Sequence, residues 1–198
     1  MRESAAFTGT RRWIPWIRKH GYGVRLATCY LSVALAAEVI SSISGANLIW
    51  IANGVLLAYI LLASRRRWLA YLATGFAAQA AGSIVAGLSW RMSLLLTALN
   101  LMEVLIAAHL IRQRSTAPPR FTNQSFLIRF VCFGILAAPL ASGLMVALLL
   151  ARWPRLAVGD TPLEWFVADC LGIGIVTPVF VAILRGNFRD TFDSRKHW

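Results

Sequence analysis

The sequence predicts an all-α fold: a polytopic integral membrane bundle of six transmembrane helices with both termini cytoplasmic. Six apolar runs are each about long enough to cross a hydrocarbon layer ~30 Å thick. The loops between them alternate between many basic residues and almost none. The composition is 58% hydrophobic and only 14% charged, with a mean hydropathy of +0.64. A soluble chain of 198 residues with that composition would leave many apolar side chains in water.

Residues 1–23 stand apart, because Arg11-Arg12-Trp13-Ile14-Pro15-Trp16-Ile17-Arg18-Lys19 mixes basic and bulky apolar side chains without a long apolar run. They read as a segment lying on the cytoplasmic leaflet. The rival reading is a secretory signal cleaved after Ala34-Leu35-Ala36, but the apolar stretch carries on past Ala36. Six spans follow near 24–44, 48–63, 68–88, 91–111, 126–150 and 165–184, making one domain over 24–184, with 185–198 as a short cytoplasmic tail.

Orientation follows from charge. Of the 20 Lys and Arg, all but Arg91, Arg152 and Arg155 fall at the N-terminus, after spans two and four, or at the C-terminus. Cytoplasmic loops retain Lys and Arg, so these regions face inward. Indole rings favour the membrane–water interface. Trp50, Trp90, Trp153 and Trp165 fall at the expected outer ends and Trp68 at an inner one. The net charge of +12 flanks apolar spans at headgroup height, which points to anionic lipid and away from nucleic acid.

Packing signals come next. Span three repeats small residues at Ala70, Thr74, Ala78, Gly82 and Ala86, with a second row at Ala73, Ala77 and Ala81. Small stripes let helix backbones approach closely in lipid, so span three is expected near the bundle centre. Pro139 and Pro178 lie within spans five and six, accompanied by Gly172 near the second. Each proline removes a backbone donor and bends its helix, either for packing or to shape a cavity wall or hinge.

Polar side chains inside the spans carry the functional information, because a carboxylate facing hydrocarbon survives only against a partner or water. Counting ~1.5 Å per residue, Glu38, Asn53 and Asp169 lie roughly 5 to 10 Å below the outer boundary, and Gln79, Asn100 and Glu103 about 13 to 18 Å below it. Trp50 stands at the mouth of this polar path. Two readings remain open. In one, these groups join helices by hydrogen bonds, with carboxyls protonated or paired to Arg91, Arg152 or Arg155. In the other, they line a pocket for a small polar or amphipathic molecule, open to the periplasm.

Catalysis finds no support. His20, His109 and His197 are scattered, and Cys29, Cys132 and Cys170 lie in spans without ligand spacing. The cysteines read as core hydrophobes; no metal or cofactor is expected.

Several local patterns coincide in order and spacing: Trp50-Ile51-Ala52-Asn53-Gly54, Arg65-Arg66-Arg67-Trp68, Asn100-Leu101-Met102-Glu103, and Trp165 through Asp169-Cys170-Leu171-Gly172 to Thr177-Pro178. Over about residues 26–184 they make the chain resemble MASE1, the integral membrane sensory domain at the N-terminus of bacterial histidine kinases and diguanylate cyclases or phosphodiesterases. The resemblance implies a signal-input role in the bacterial inner membrane, in two-component or cyclic-di-GMP signalling, and carries over Trp50, Asn53, Gly54, Asn100, Glu103, Asp169, Gly172 and Pro178.

Two departures stand out. Trp50-Ile51-Ala52 replaces the family's Trp-Pro-Pro, and the chain stops soon after the sixth span where the family runs to eight and an output domain. It is expected to be a truncated product, a fragment, or a stand-alone sensor signalling through a partner. The partners expected are the lipid bilayer, a small-molecule ligand and a cytoplasmic histidine kinase or diguanylate cyclase, with a homo-oligomer left open. The alternative from another class is the substrate-binding membrane subunit of a vitamin-type transporter, although Ala27, Ala34 and Ala37 form no clean docking stripe for a coupling protein.

Overall fold

The computed structural model describes residues 28–33, 50–113, 119–153 and 161–185, and every regular element among them is helical. Helix α1 is described over 28–33; α2 is Ile51–Leu62, α3 Trp68–Val85, α4 Trp90–Arg112, α5 Gln124–Arg152 and α6 Pro162–Arg185. Four described helices, α3 to α6, are long and apolar enough to cross a membrane. Most of the first expected span, the N-terminal segment and the C-terminal tail lie outside the described residues.

The outer faces of the long helices are apolar. Leu136, Leu140, Leu144 and Leu148 run every fourth residue along α5, and Val167, Leu171, Ile175, Val179 and Ile183 do so along α6, all exposed. Such stripes suit lipid and would be costly in water.

Helix α2 differs from the expected span over 48–63. Its 12 residues reach only ~18 Å, and Ala52 through Leu61 are buried on every side. A helix apolar all round belongs in the interior, and α2 is the central rod, packed chiefly on α6 and α4. Its start is set deep: the Trp50 N–H donates to the Ala168 carbonyl of α6 at 3.1 Å, six residues into that helix.

Glycine makes this docking close. A Cβ on Gly54 would lie 2.6 Å from the Gly172 carbonyl oxygen, and one on Gly172 would overlap the Trp50 carbonyl. The Thr177 hydroxyl adds a bond to the Gly54 carbonyl at 3.1 Å.

Among the described residues helix α3 packs on α4, on α2 and, through Gln79 and Tyr30, on α1, while the fully buried rod is α2. Ala78 and Gly82 are buried, whereas Ala70, Ala73, Ala77 and Ala81 are exposed.

Pro139 acts on its own helix. It has no N–H for the Ile135 carbonyl four residues earlier, and the helix is π-wound over Phe130–Ala137 just before it. The Cys170 thiol of α6 donates to that Ile135 carbonyl at 2.8 Å. Cys170 is therefore a partner for a freed backbone group, not only a core hydrophobe; Cys29 is half-buried and Cys132 exposed. Pro178 lies inside α6, which continues through it.

At one end of the bundle, arginines close the C-termini of α2 and α4 and hold the segment before α5. Arg112 Nη1 donates to the carbonyls of Leu61 at 3.2 Å and Ala63 at 2.5 Å, Arg65 donates to the Arg112 carbonyl at 3.1 Å, and Arg185 to the Pro119 carbonyl at 2.7 Å. Cations at helix C-termini satisfy orphan carbonyls and oppose the negative dipole end. At the other end, Arg91 and Arg152 lie over the rings of Trp90 and Trp153. Arg112→Ala is expected to loosen the end of α2 and cost about 1 to 3 kcal/mol, with Arg112→Lys recovering only part because it lacks the planar fork. Thermal unfolding in detergent measures both.

Candidate functional site

Polar side chains of four helices meet beside the first turn of α2. Asn53 is the third residue of that helix and is wholly buried; its Cβ leans toward the helix N-terminus. Asn100 and Glu103 are three apart on one face of α4, Trp165 and Asp169 four apart on α6, and Ser142 follows Pro139 by three on α5.

Asn53 Nδ2 donates to Asn100 Oδ1 and Asp169 Oδ1, each at 3.1 Å, and to Glu103 Oε1 at 3.4 Å. Two hydrogens serve three acceptors, so one is shared. The Ser142 hydroxyl donates to Glu103 Oε2 and also lies 3.0 Å from the Pro139 carbonyl. Trp165 Nε1 donates to Ser142 Oγ at 3.2 Å. The Glu103 and Asp169 carboxyl groups are thus held on the same Asn53 amide.

The expected site residues thus divide. Asn53, Asn100, Glu103 and Asp169 form one cluster, not the two layers that counting from span ends suggests, because the helix ends are not flush. Gln79 is buried on α3 and accepts the Tyr30 hydroxyl at 2.6 Å. Trp50 is half-buried with its ring N–H lacking a partner among the described residues. Gly172 shapes the α2–α6 contact, Gly82 is buried on α3, and Pro139 and Pro178 lie in α5 and α6. Glu38 lies outside the described residues.

Sequence reasoning missed Ser142, Thr97, Thr177 and Tyr30, and placed Trp165 at the interface where it is in fact 8% exposed and turned inward. A usable signal for Ser142 was its position one turn after Pro139. Among the described residues no group of three or more His, Cys, Asp or Glu is placed to hold a metal.

Long helices with lipid-facing apolar stripes around a small buried polar centre define a membrane-embedded helical domain. The chain belongs to the MASE1 family, whose model matches residues 23–198. MASE1 is a membrane-associated sensor domain, sensory in kind rather than catalytic. No curated protein and no solved structure matches the chain.

Proposed function

We propose that this chain is a multi-pass signal-input domain of a bacterial inner membrane, with its arginine-rich end in the cytoplasm, and that the cluster around Asn53 receives a small polar stimulus. The output is a histidine kinase or a diguanylate cyclase, in the same polypeptide or as a partner. The observation that carries this reading is the convergence of Asn100, Glu103 and Asp169, from two separate helices, on one amide of a short central helix. Because α2 rests on α6 through backbone contacts at Trp50, Gly54 and Gly172, a changed bond at Asn53 shifts two packed rods against each other. Packed cores respond to such shifts by switching between discrete arrangements. The far end of α2 is tied to the arginine-rich end through Arg112, which gives the shift a route to a cytoplasmic output.

The test expresses the full chain with a candidate histidine kinase or diguanylate cyclase output and compares Glu103→Leu and Asp169→Leu with the wild type. Both variants are expected to insert normally yet abolish the signalling response. Normal signalling in both would reduce the cluster to packing, and uptake of a labelled small molecule with a neighbouring ATPase would replace the sensor by a transport subunit.

A further inference from the structure

Oxygens from two helices surround one nitrogen in the buried centre. Asn100 Oδ1 and Glu103 Oε1 of α4 and Asp169 Oδ1 of α6 lie 3.1, 3.4 and 3.1 Å from Asn53 Nδ2. Acceptors outnumber the hydrogens of that amide, so one of them is poorly served. Glu103 is wholly buried, and the donors bonded to its two oxygens, the Asn53 amide and the Ser142 hydroxyl, are neutral. A buried charge is normally paired or bound to a metal ion. The positive start of α2 beside Glu103 amounts to about half a charge, less than a carboxylate carries.

A second, independent observation concerns oxygens with nothing to bind. Asn53 Oδ1 and Thr97 Oγ1 have no hydrogen-bond partner among the described residues, and both side chains are wholly buried. Oδ1 shares its carbon with Nδ2, so it already stands at the cluster. Thr97 precedes Asn100 by three and shares its face of α4. A mid-helix threonine usually returns its hydroxyl to the carbonyl four residues earlier, as Thr74 does to Ala70 at 2.8 Å. Thr97 does not. Buried polar atoms are nearly always satisfied, and a native exception points to water or an ion.

We propose that Asn53, Thr97, Asn100, Glu103 and Asp169 form a binding site for a dehydrated alkali-metal cation. This rests on the sensor reading and names its stimulus. Carboxamide, hydroxyl and carboxylate oxygens suit hard cations, whereas the His and Cys sets absent here suit transition metals. Ca2+ takes about six to eight oxygens and Mg2+ keeps several of its waters. A monovalent ion is the better match for five protein oxygens in an apolar interior. Turning the Asn53 amide over about χ2 exchanges Nδ2 for Oδ1 and sets a fourth oxygen against the three that now surround the nitrogen. Those oxygens repel one another in a poorly screened interior unless a cation lies among them. The amide is then a two-position switch that donates when the ion is away and ligates when it is bound. Asn53 belongs to α2 and Asp169 to α6, so the exchange acts on the contact between these two helices.

The full chain in lipid nanodiscs, at fixed pH and ionic strength with choline as the balancing cation, is assayed for binding of radiolabelled sodium and of radiolabelled rubidium, which stands in for potassium. Saturable binding of one of these ions at one per chain is expected, displaced by the unlabelled ion and not by choline. Thr97→Val is expected to weaken it severalfold, Thr97→Ser to retain it and Glu103→Gln to abolish it. No saturable binding to the wild type, as water or a proton alone at the site would give, would overturn the proposal. So would wild-type binding in both Thr97→Val and Glu103→Gln, or full displacement by an equal concentration of Ca2+. The wild-type measurement stands even if a variant fails to fold, and Thr97→Ser controls for packing at that position. Signalling in choline and in the binding ion separates the two readings. Output lost in Glu103→Leu and Asp169→Leu without any ion binding leaves the sensor standing and removes the cation, whereas ion binding with output indifferent to the ion and to both variants does the reverse.

Discussion

Gly172→Ala is expected to undock α2 from α6 and to cause the largest loss of stability of any single methyl added to the bundle. The new Cβ meets the Trp50 carbonyl, backbone that cannot rotate away, on the side where the Trp50 N–H is held by the Ala168 carbonyl. Overpacking of a close-packed interior costs about 1 to 3 kcal/mol and more where nothing can yield, and here the whole of α2 must move. Gly54→Ala meets the Gly172 carbonyl oxygen and Val176 and should behave alike. Gly174→Ala is the control, since its Cβ would meet only the flexible end of Ile135 at 3.3 Å. Thermal unfolding in detergent checks the series. Equal stability of the Gly172 and Gly174 variants would show that α2 does not depend on this close approach.

Asn53→Leu is the second large effect. It removes one donor group and leaves three buried acceptors, Asn100 Oδ1, Glu103 Oε1 and Asp169 Oδ1, without it. A buried group that loses its bond costs about 1 to 3 kcal/mol in proteins generally where nothing replaces it, and interhelical bonds in membranes average nearer 0.6. The expected total is about 2 to 4 kcal/mol. Asn100→Leu removes a single acceptor and should cost about 1 kcal/mol or less. Both variants are to be compared by unfolding in mixed micelles together with signalling output. An Asn53→Leu protein as stable as the wild type would show that the amide does not tie α2 to α4 and α6.

Much of the site was legible because its residues break a rule. Asn53, Asn100, Glu103 and Asp169 are polar in apolar runs, and that cost flags them without any coordinates. Ser142 and Thr97 carry no such flag, since a helical hydroxyl ordinarily satisfies itself on its own backbone. Trp165 was misread for a related reason: an indole suits both an interface and an interior with one acceptor, and only the position of Ser142 decides between them. The small residues of α3 were legible as a packing face, but an exposed row looks the same in sequence as a buried one.

Composition and apolar periodicity by themselves determined an all-helical membrane protein, because hydrocarbon tolerates no unsatisfied backbone and leaves a chain this apolar few alternatives. Charge placement distinguished an arginine-rich end from an arginine-poor one. Tertiary structure alone decided that a 12-residue helix occupies the centre, that its start lies level with Ala168 rather than at the surface, and that groups counted to different depths share one set of hydrogen bonds. The reason is that depth along one helix is local arithmetic, whereas the offset between helices is set by contacts such as Gly54 on Gly172, which join residues far apart in the chain.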